Sequence, residues 1–325
     1  MNKLRYGVVG LGHMGLFHVN LLSAIPEIQF VGVHDLSPER TREIAERYRV
    51  TPFADLDTLL DSCDALSVCV PTSLHHAIGL RVLEKGRHAL IEKPLTQKVE
   101  DAAELVELAR ERKRILHVGH VERYNGAVQE LQHIVEQPHL WESRRLGPNS
   151  GRIVDCGVVM DLMIHDLDIC LRTVNAPVVA VHGQGSFAAG SPHEDAASAL
   201  VAFENGCVAT FTASRVTQEK IRTLSISQKT SYITLDFTTQ DLQIHRQAAS
   251  TTTTSAEQIR YKQEALVERV FVHRDNPLRS EILHFIRSIQ GPASGLEAAY
   301  RENLTDLETL RVAAEILRQA SSRRP

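Results

Sequence analysis

The first third of the chain alternates short apolar runs with amphipathic segments. The apolar runs, such as Leu4–Val9 and Ala65–Val70, predict strands, because continuous apolar runs are typical of parallel strands buried on both faces. The segments between them have helical periodicity, and Ser37-Pro38-Glu39 has the composition of a helix start. This βαβαβ order predicts a doubly wound α/β domain over residues 1–122.

From residue 123 onward, strands are predicted to follow one another directly. Six candidate strands lie within Val178–Arg246, and Asn205-Gly206 between two of them is typical of a hairpin turn. A helix over Asp155–Leu171 precedes them. Residues 123–325 are therefore predicted to form a second, α+β domain with a mostly antiparallel sheet.

The C-terminal part is predicted to be less regular at first and then helical. Ser250–Ser255 contains four consecutive threonines and is predicted to be a loop or an exposed edge. Two helices follow, at Leu278–Gln290 and Ala298–Gln319, with the option that the last one packs back on the first domain. The final residues 321–325 are predicted to form a frayed tail.

Composition narrows the function classes. The net charge of −4 argues against a broad basic surface for nucleic acid, and we find no apolar run long enough to cross a membrane. The cysteines are odd in number and lack C-x-x-C spacing, which argues for a reducing, cytoplasmic location and against a disulfide scaffold. They are Cys63, Cys69, Cys156, Cys170 and Cys207.

A glycine-rich turn follows the first predicted strand. Gly10, Gly12 and Gly15 have G-x-G-x-x-G spacing, with His13 and Met14 inside the same turn. The first glycine permits a tight turn, the second a close approach of pyrophosphate, and the third close packing of helix on strand. The next helix directs unpaired N–H groups toward phosphate. The alternative is a strand-helix turn whose glycines serve packing alone.

The second strand ends in an acid that favours NAD. Asp35 lies 20 residues after Gly15, where a carboxylate accepts hydrogen bonds from an adenosine ribose and repels a 2′-phosphate. The turn and the acid together predict that residues 1–122 are a Rossmann NAD-binding domain.

Further polar residues follow the later parallel strands and are expected in the same crevice. Lys93 would hold a substrate hydroxyl near a nicotinamide or share in proton transfer. The alternative is a solvated lysine before a turn at Pro94, for which a cis peptide is an option. The predicted cofactor contacts at these strand ends are Pro71, Thr72, Ser73, His75, Glu92 and Lys93.

A second constellation lies on the predicted Asp155–Leu171 helix. Asp161 and His165 are four residues apart and share a helix face, with Asp168 nearby. A histidine suits proton abstraction from an alcohol, and a neighbouring carboxylate would fix its tautomer. The alternatives are a surface ion pair or a core histidine. No metal site is predicted, because H-E-x-x-H and cysteine-ligand spacings are missing.

These motifs, in this order, resemble the Gfo/Idh/MocA oxidoreductase family, and the resemblance covers nearly the full chain. It implies a nicotinamide-dependent dehydrogenase of a sugar or cyclitol hydroxyl. By motif position Lys93, Asp161 and His165 are the implied catalytic residues. His165 would remove the proton while Lys93 hydrogen-bonds the same oxygen, although which of the two takes the proton stays open. The family's open sheet face implies a homodimer or homotetramer.

A closer similarity concerns Val118–Asn125. This segment is similar to the V-G-H-x-E-R-F/Y-N-P segment of UDP-N-acetylglucosamine 3-dehydrogenases, with Tyr124 where Phe is common and Gly126 where Pro is usual. The similarity implies NAD-dependent oxidation of the 3-hydroxyl of the nucleotide sugar. A partner aminotransferase would then form the 2,3-diamino sugar of lipid A.

The same segment supplies the predicted substrate contacts. Arg123 would bind pyrophosphate, Tyr124 would stack on a sugar or base, and Asn125 belongs to the same segment. Arg144 and Arg145 are further diphosphate candidates, with an exposed basic pair as the alternative. Two other functions stay open: a dehydrogenase of a free sugar or cyclitol, and a non-enzymatic NAD-binding regulator.

Overall fold

The computed structural model describes residues 3–149, 156–188, 191–254, 259–292 and 294–322, and only the backbone of 247–254, 259–265 and 294. Predictions for Asp155, Ser255 and residues 323–325 lie outside the described residues. Contacts group the chain into two units. Unit 1 comprises Met1–Val121 and Leu278–Arg311, and unit 2 comprises Glu122–Pro277 and Val312–Pro325. The sequence divided the chain once, after residue 122, whereas residues 278–311 group with unit 1.

Unit 1 contains a six-stranded parallel sheet in the order β3-β2-β1-β4-β5-β6. β1 and β4 are neighbours although three helices and two strands separate them in the chain, so the crevice of a doubly wound sheet opens beyond their carboxyl ends. The elements are β1 (Leu4–Val9), α1 (His13–Leu22), β2 (Ile28–His34), α2 (Pro38–Tyr48), β3 (Thr51–Pro52), α3 (Leu56–Ser62), β4 (Ala65–Val68), α4 (His75–Glu84), β5 (His88–Glu92), α5 (Val99–Glu111) and β6 (Leu116–Gly119). The predicted α/β domain is confirmed.

Unit 2 contains an eight-stranded sheet in the order β14-β13-β12-β11-β7-β10-β9-β8. Every pair is antiparallel except β7 with β10, which is parallel. Its elements are α6 (Gly126–Ile134), β7 (Pro138–Pro148), a π-helix (Val159–Met163), α7 (Ile164–Val174), β8 (Val178–Ser186), β9 (Ala196–Phe203), β10 (Val208–Ser214), β11 (Val216–Gln228), β12 (Ser231–Asp236), β13 (Asp241–Thr254) and β14 (Ile259–Arg269). The prediction of a mostly antiparallel second sheet is confirmed.

Three features of unit 2 differ from the sequence predictions. The strands β7 and β14 were not predicted. The polar run at 250–254 is part of β13 and pairs with β14, so its threonines form a strand instead of a loop. Ladder hydrogen bonds to β14 satisfy its backbone, and β-branched threonine is favourable in strands.

Two helices close the chain, α8 (Pro277–Gln290) and α9 (Ser294–Ser322). Ile282 and Phe285 of α8 are fully buried in the same cluster as Tyr6 and Val8 of β1. The rings of Tyr6 and Phe285 meet edge to face at 6.0 Å. This apolar contact explains why α8 belongs to unit 1. Among the described residues, no helix combines the length and the apolar character needed for a membrane span.

Candidate active site

The glycine turn has the geometry of a pyrophosphate cradle. Gly10 has a φ of +85°, and a Cβ on Gly15 would lie 1.9 Å from the Gly10 carbonyl oxygen, so both positions require glycine. A Cβ on Gly12 would meet no atom within 4 Å, so space is open above this residue. α1 begins directly after Gly12, and its first N–H groups and positive dipole end suit a phosphate. The residues therefore fit a dinucleotide.

Asp35 is held against this turn. Its Oδ2 accepts a hydrogen bond from the backbone N–H of Leu11 at 2.7 Å, and its Oδ1 accepts one from Ser37 N–H at 2.9 Å. A carboxylate has about four lone-pair sites, so it retains acceptor capacity for a ribose. Arg40 in the first turn of α2 also reaches the loop, because its Nε donates to the Leu11 carbonyl oxygen.

The residues after β4 divide into two groups. Thr72 and Ser73 lie in a short 3-10 helix, Thr72–Leu74, with Pro71 as its N-cap. This turn follows the carboxyl end of the strand, where the cofactor contacts were predicted. His75 has a different position, since it is 1% exposed and its ring lies between two carbonyl oxygens. Its Nδ1 is 2.9 Å from Pro94 O and its Nε2 is 2.9 Å from Val70 O. Burial lowers the pKa of His75. A neutral ring has a single N–H, so His75 donates to one of these two carbonyl oxygens, and its ring lies between the segment after β4 and the turn at Pro94.

The turn that carries Lys93 follows β5. Lys93 is partly exposed, and its peptide bond to Pro94 is cis, as the sequence had allowed. Glu92 is largely buried, and its Oε1 lies 2.9 Å from Nε2 of His18 on α1. Both residues that flank Lys93 are therefore anchored to buried histidines.

Asp161 and His165 lie where the helix changes its hydrogen-bonding pattern. Asp161 is on the π-helix and His165 is in the first turn of α7, and both side chains are partly exposed. The backbone N–H of Asp161 donates to Gly157 O at 3.0 Å. π-helical segments are rare and frequently lie at functional sites. The sequence predicted one continuous helix here.

Arg123 and Asn125 have structural contacts that the sequence did not predict. Arg123 is buried, and its Nε donates to Oδ2 of Asp168 at 2.7 Å. Asn125 is buried as the N-cap of α6, with its Oδ1 accepting from Ala127 N–H at 3.1 Å and its amide donating to Phe237 O at 3.2 Å. Tyr124 is partly exposed. The sequence did not predict these protein contacts, and the roles of Arg123 and Asn125 in substrate binding stay a prediction.

Arg145 also has protein contacts that the sequence did not predict, and its role in substrate binding stays a prediction. Its guanidinium is 2% exposed and donates to Asp166 at 2.7 Å and to Glu122 at 2.8 Å, with the ring of Phe237 4.9 Å away. Burial alone would lower the pKa of Arg145, but the two carboxylates together raise it, so the charge is retained. Arg145 is therefore an internal counter-ion, whereas its neighbour Arg144 is exposed.

The sequence analysis did not identify Arg222 on β11. It pairs in register with Arg145 and is partly exposed, and its 3.7 Å contact with Glu122 is looser than that of Arg145. Burial and the charge of Arg145 lower the pKa of Arg222, while nearby carboxylates that include Asp161 oppose this. The sequence contains one signal that could have identified Arg222. It lies two residues before the buried Leu224 and therefore on the apolar face of the same strand.

Comparisons with known proteins agree with this architecture. Residues 4–120 match the family model described as an oxidoreductase family with an NAD-binding Rossmann fold, and residues 125–232 match the GFO/IDH/MocA C-terminal domain. The chain is 39% identical over 252 residues to UDP-N-acetylglucosamine 3-dehydrogenase of Acidithiobacillus ferrooxidans, covering 77% of this chain and 80% of that protein.

Solved structures give the same result. The structure of UDP-N-acetylglucosamine 3-dehydrogenase GnnA from Acidithiobacillus ferrooxidans superposes with a TM-score of 0.87 and 33% identity over 99% of both chains. An inositol dehydrogenase homolog from Azotobacter vinelandii, solved with NADH and myo-inositol, shares the fold with a TM-score of 0.82 and 17% identity over 99% of this chain and 96% of its own. The chain therefore belongs to the Gfo/Idh/MocA family and is an oxidoreductase that uses a nicotinamide dinucleotide.

Proposed function

We propose that this enzyme oxidises the 3-hydroxyl of UDP-N-acetylglucosamine to the 3-keto nucleotide sugar, with NAD as the oxidant. The main support is the 39% identity to a 3-dehydrogenase of this nucleotide sugar, which extends over 77% of the chain. The Val118–Asn125 segment adds to this support. The product would feed an aminotransferase that forms the 2,3-diamino sugar of lipid A.

The reaction removes one proton and one hydride from the C3 carbinol. NAD, when bound, supplies the hydride acceptor. His165 accepts the hydroxyl proton, Asp161 stabilises the resulting imidazolium, and Lys93 donates a hydrogen bond to the same oxygen. The anchored residues on both sides of Lys93 support a fixed position for its ammonium group.

NAD is proposed over NADP because of Asp35. Its carboxylate lies beside the Leu11 N–H at the turn, where it would oppose a 2′-phosphate. Arg40 is close to the same loop, but its Nε is already used by Leu11 O.

The test is an activity assay in which purified protein is incubated with NAD and UDP-N-acetylglucosamine. Formation of NADH is monitored by its absorbance. We expect turnover with this substrate and a loss of about a hundredfold or more in kcat for Lys93→Ala and His165→Ala. Lys98→Ala and His182→Ala are matched controls, because both side chains are exposed. Good turnover of myo-inositol or free glucose without turnover of any UDP-sugar would instead support the free-sugar alternative. Cofactor binding without turnover of any of them would support a regulator.

A homo-oligomer is proposed through one face of the unit 2 sheet. Thr210 and Thr212 of β10 and Thr223 and Ser225 of β11 lie on one face of the two strands that flank β7, and all four are partly exposed. Phe211 and Leu224, which alternate with them, are buried. Light scattering of the purified protein tests this. We expect a dimer or tetramer, and Thr212→Lys should shift it toward monomer.

A further inference from the structure

Four buried polar side chains in unit 1 form a continuous hydrogen-bonded chain. The Tyr6 hydroxyl is 2.9 Å from Ser67 Oγ, Ser67 Oγ is 2.9 Å from His18 Nδ1, and His18 Nε2 is 2.9 Å from Glu92 Oε1. Tyr6, His18 and Ser67 are fully buried, and Glu92 is 7% exposed. Burying polar groups is unfavourable unless they are hydrogen-bonded, so this chain must be satisfied as a unit.

One tautomer of His18 satisfies every member of the chain. A carboxylate only accepts hydrogen bonds, so in this tautomer Nε2–H of His18 donates to Glu92. The Nδ1 then accepts from the Ser67 hydroxyl, and Ser67 Oγ accepts from Tyr6 O–H. Burial raises the pKa of Tyr6 far above its usual range, so the first donor keeps its proton. Each member has its partner, and the chain ends on the residue directly before Lys93.

Two other functions for these groups fit less well. Ser67, His18 and Glu92 have the order of a nucleophilic triad, but Ser67 is fully buried and no substrate can reach its Oγ. His18, Cys69 and Glu92 also have potential ligand atoms within 4.8 Å of one another. However, burial raises the pKa of the Cys69 thiol well above its usual value, and His18 is already hydrogen-bonded at both ring nitrogens.

We infer that His18 is a positioning residue that holds Glu92, and through it Lys93, in register with the dinucleotide-binding helix α1. His18 lies three residues after Gly15, so one end of the link is the helix that receives the cofactor phosphates. The other end is the carboxyl end of β5. On the far side of Lys93, the Nδ1 of the buried His75 lies 2.9 Å from the Pro94 carbonyl oxygen. The role of Lys93 in this inference rests on the proposed function.

The test compares two substitutions of nearly equal size. In His18→Gln the side-chain amide nitrogen reaches the position of Nε2 and can still donate to Glu92. In His18→Asn the shorter amide reaches only the position of Nδ1, so it keeps Ser67 and loses Glu92. We expect kcat to fall about ten- to a hundredfold in His18→Asn with the Kd for NADH within about twofold of the parent, and most of the loss to be recovered in His18→Gln.

Hydrogen exchange tests the inference without relying on enzyme activity. Hydrogen exchange of the amides in 88–96 should accelerate in His18→Asn, but not in His18→Gln, while exchange elsewhere in unit 1 stays unchanged. Equal kcat losses in the two variants, or unchanged exchange at 88–96 in His18→Asn, would overturn the inference. If the parent protein turns over no UDP-sugar, the proposed function fails, and the exchange comparison still decides whether His18 fixes the Glu92–Lys93 segment.

Discussion

Arg123 and Asp168 form a buried ion pair with two parallel hydrogen bonds. The Nε of Arg123 lies 2.7 Å from Oδ2 of Asp168, and its Nη2 donates to Oδ1. The side chains are 8% and 1% exposed, and Arg172 adds a 3.3 Å contact to the same carboxylate. The pair connects the turn after β6 to α7, the helix that begins with His165.

This relationship predicts that Asp168→Ala destabilises the protein strongly. Removing one partner leaves the Arg123 charge buried without its main counter-ion, which costs about 3–5 kcal/mol. Urea unfolding measures the change. Glu315→Ala is the control, because its pair with Arg318 on α9 is solvent-exposed and exposed ion pairs contribute little to stability. A raised KM for the UDP-sugar in Arg123→Lys, with stability unchanged, would instead favour the diphosphate role predicted from sequence.

Alanine substitutions at two glycines of the turn should have opposite effects on folding and on cofactor binding. Gly12→Ala should fold normally, because its Cβ meets no atom within 4 Å, yet it should weaken NADH binding about tenfold or more by occupying the phosphate approach. Gly15→Ala should lower stability by several kcal/mol, because its Cβ would lie 1.9 Å from a backbone oxygen. Fluorescence titration with NADH and thermal unfolding separate the two effects. Equal affinity for NADH in Gly12→Ala and the parent would contradict the cradle.

Cofactor preference should reverse in part when the acid at the turn is removed. In Asp35→Ser the carboxylate that opposes a 2′-phosphate is gone, while the guanidinium of Arg40 stays at the loop. We expect the ratio of kcat/KM for NADP to that for NAD to rise about tenfold or more. The gain should disappear in the double variant Asp35→Ser/Arg40→Ala. An unchanged ratio in the single variant would remove Asp35 as the determinant.

His88 should make stability depend on pH. Burial and the charge of Arg114 lower the pKa of His88 to about 4, while its Nδ1 accepts from Ile115 N–H at 2.9 Å. The unfolded chain has a pKa near 6.5 and binds the proton first, so the contribution is complete above about pH 6.5 and is lost as pH falls toward 4. The loss amounts to about 3 kcal/mol at most.

His88→Asn is the matched variant for that experiment. Asparagine Oδ1 can accept from Ile115 N–H without titrating. Urea unfolding of both proteins between pH 7 and about pH 4 should show a shallower decline for His88→Asn. Identical pH profiles would show that His88 does not contribute.

Local signals made the cofactor half predictable. The need for glycine at positions 10, 12 and 15 depends on residues nearby in the chain. The strands of unit 1 are buried on both faces and are therefore continuous apolar runs. Both patterns are visible in the sequence, so they predicted this fold. Arg145 and Arg222 could not be placed in the same way. The position of each side chain depends on which face of β7 and β11 turns inward, and that depends on strand partners far away in the chain.

The strand β7 could not be predicted from the sequence either. Its exposed face carries Glu142 and Arg144, and its buried face carries Ser143 and Arg145, so no apolar alternation marks it as a strand. Trp141 and Leu146 are buried apolar residues of β7, but an odd spacing separates them, so they do not belong to one alternating pattern. The role of His18 could not be predicted either, because no residue near it in the sequence indicates that its ring contacts Glu92.

The parallel pairing of β7 with β10 has a consequence for how unit 2 acquires its structure. Val208 pairs with Leu140 and Ser214 with Leu146, so the centre of the sheet closes a long stretch of chain that includes α7 and two complete strands. The hairpins on either side form from local contacts. They cannot join until β7 pairs with β10, which closes this long loop. The conformational entropy of the loop is lost before the contacts of the pairing compensate for it. We therefore expect slow refolding of unit 2, with β8–β10 and β11–β13 assembling as separate hairpin arrays before β7 enters between them.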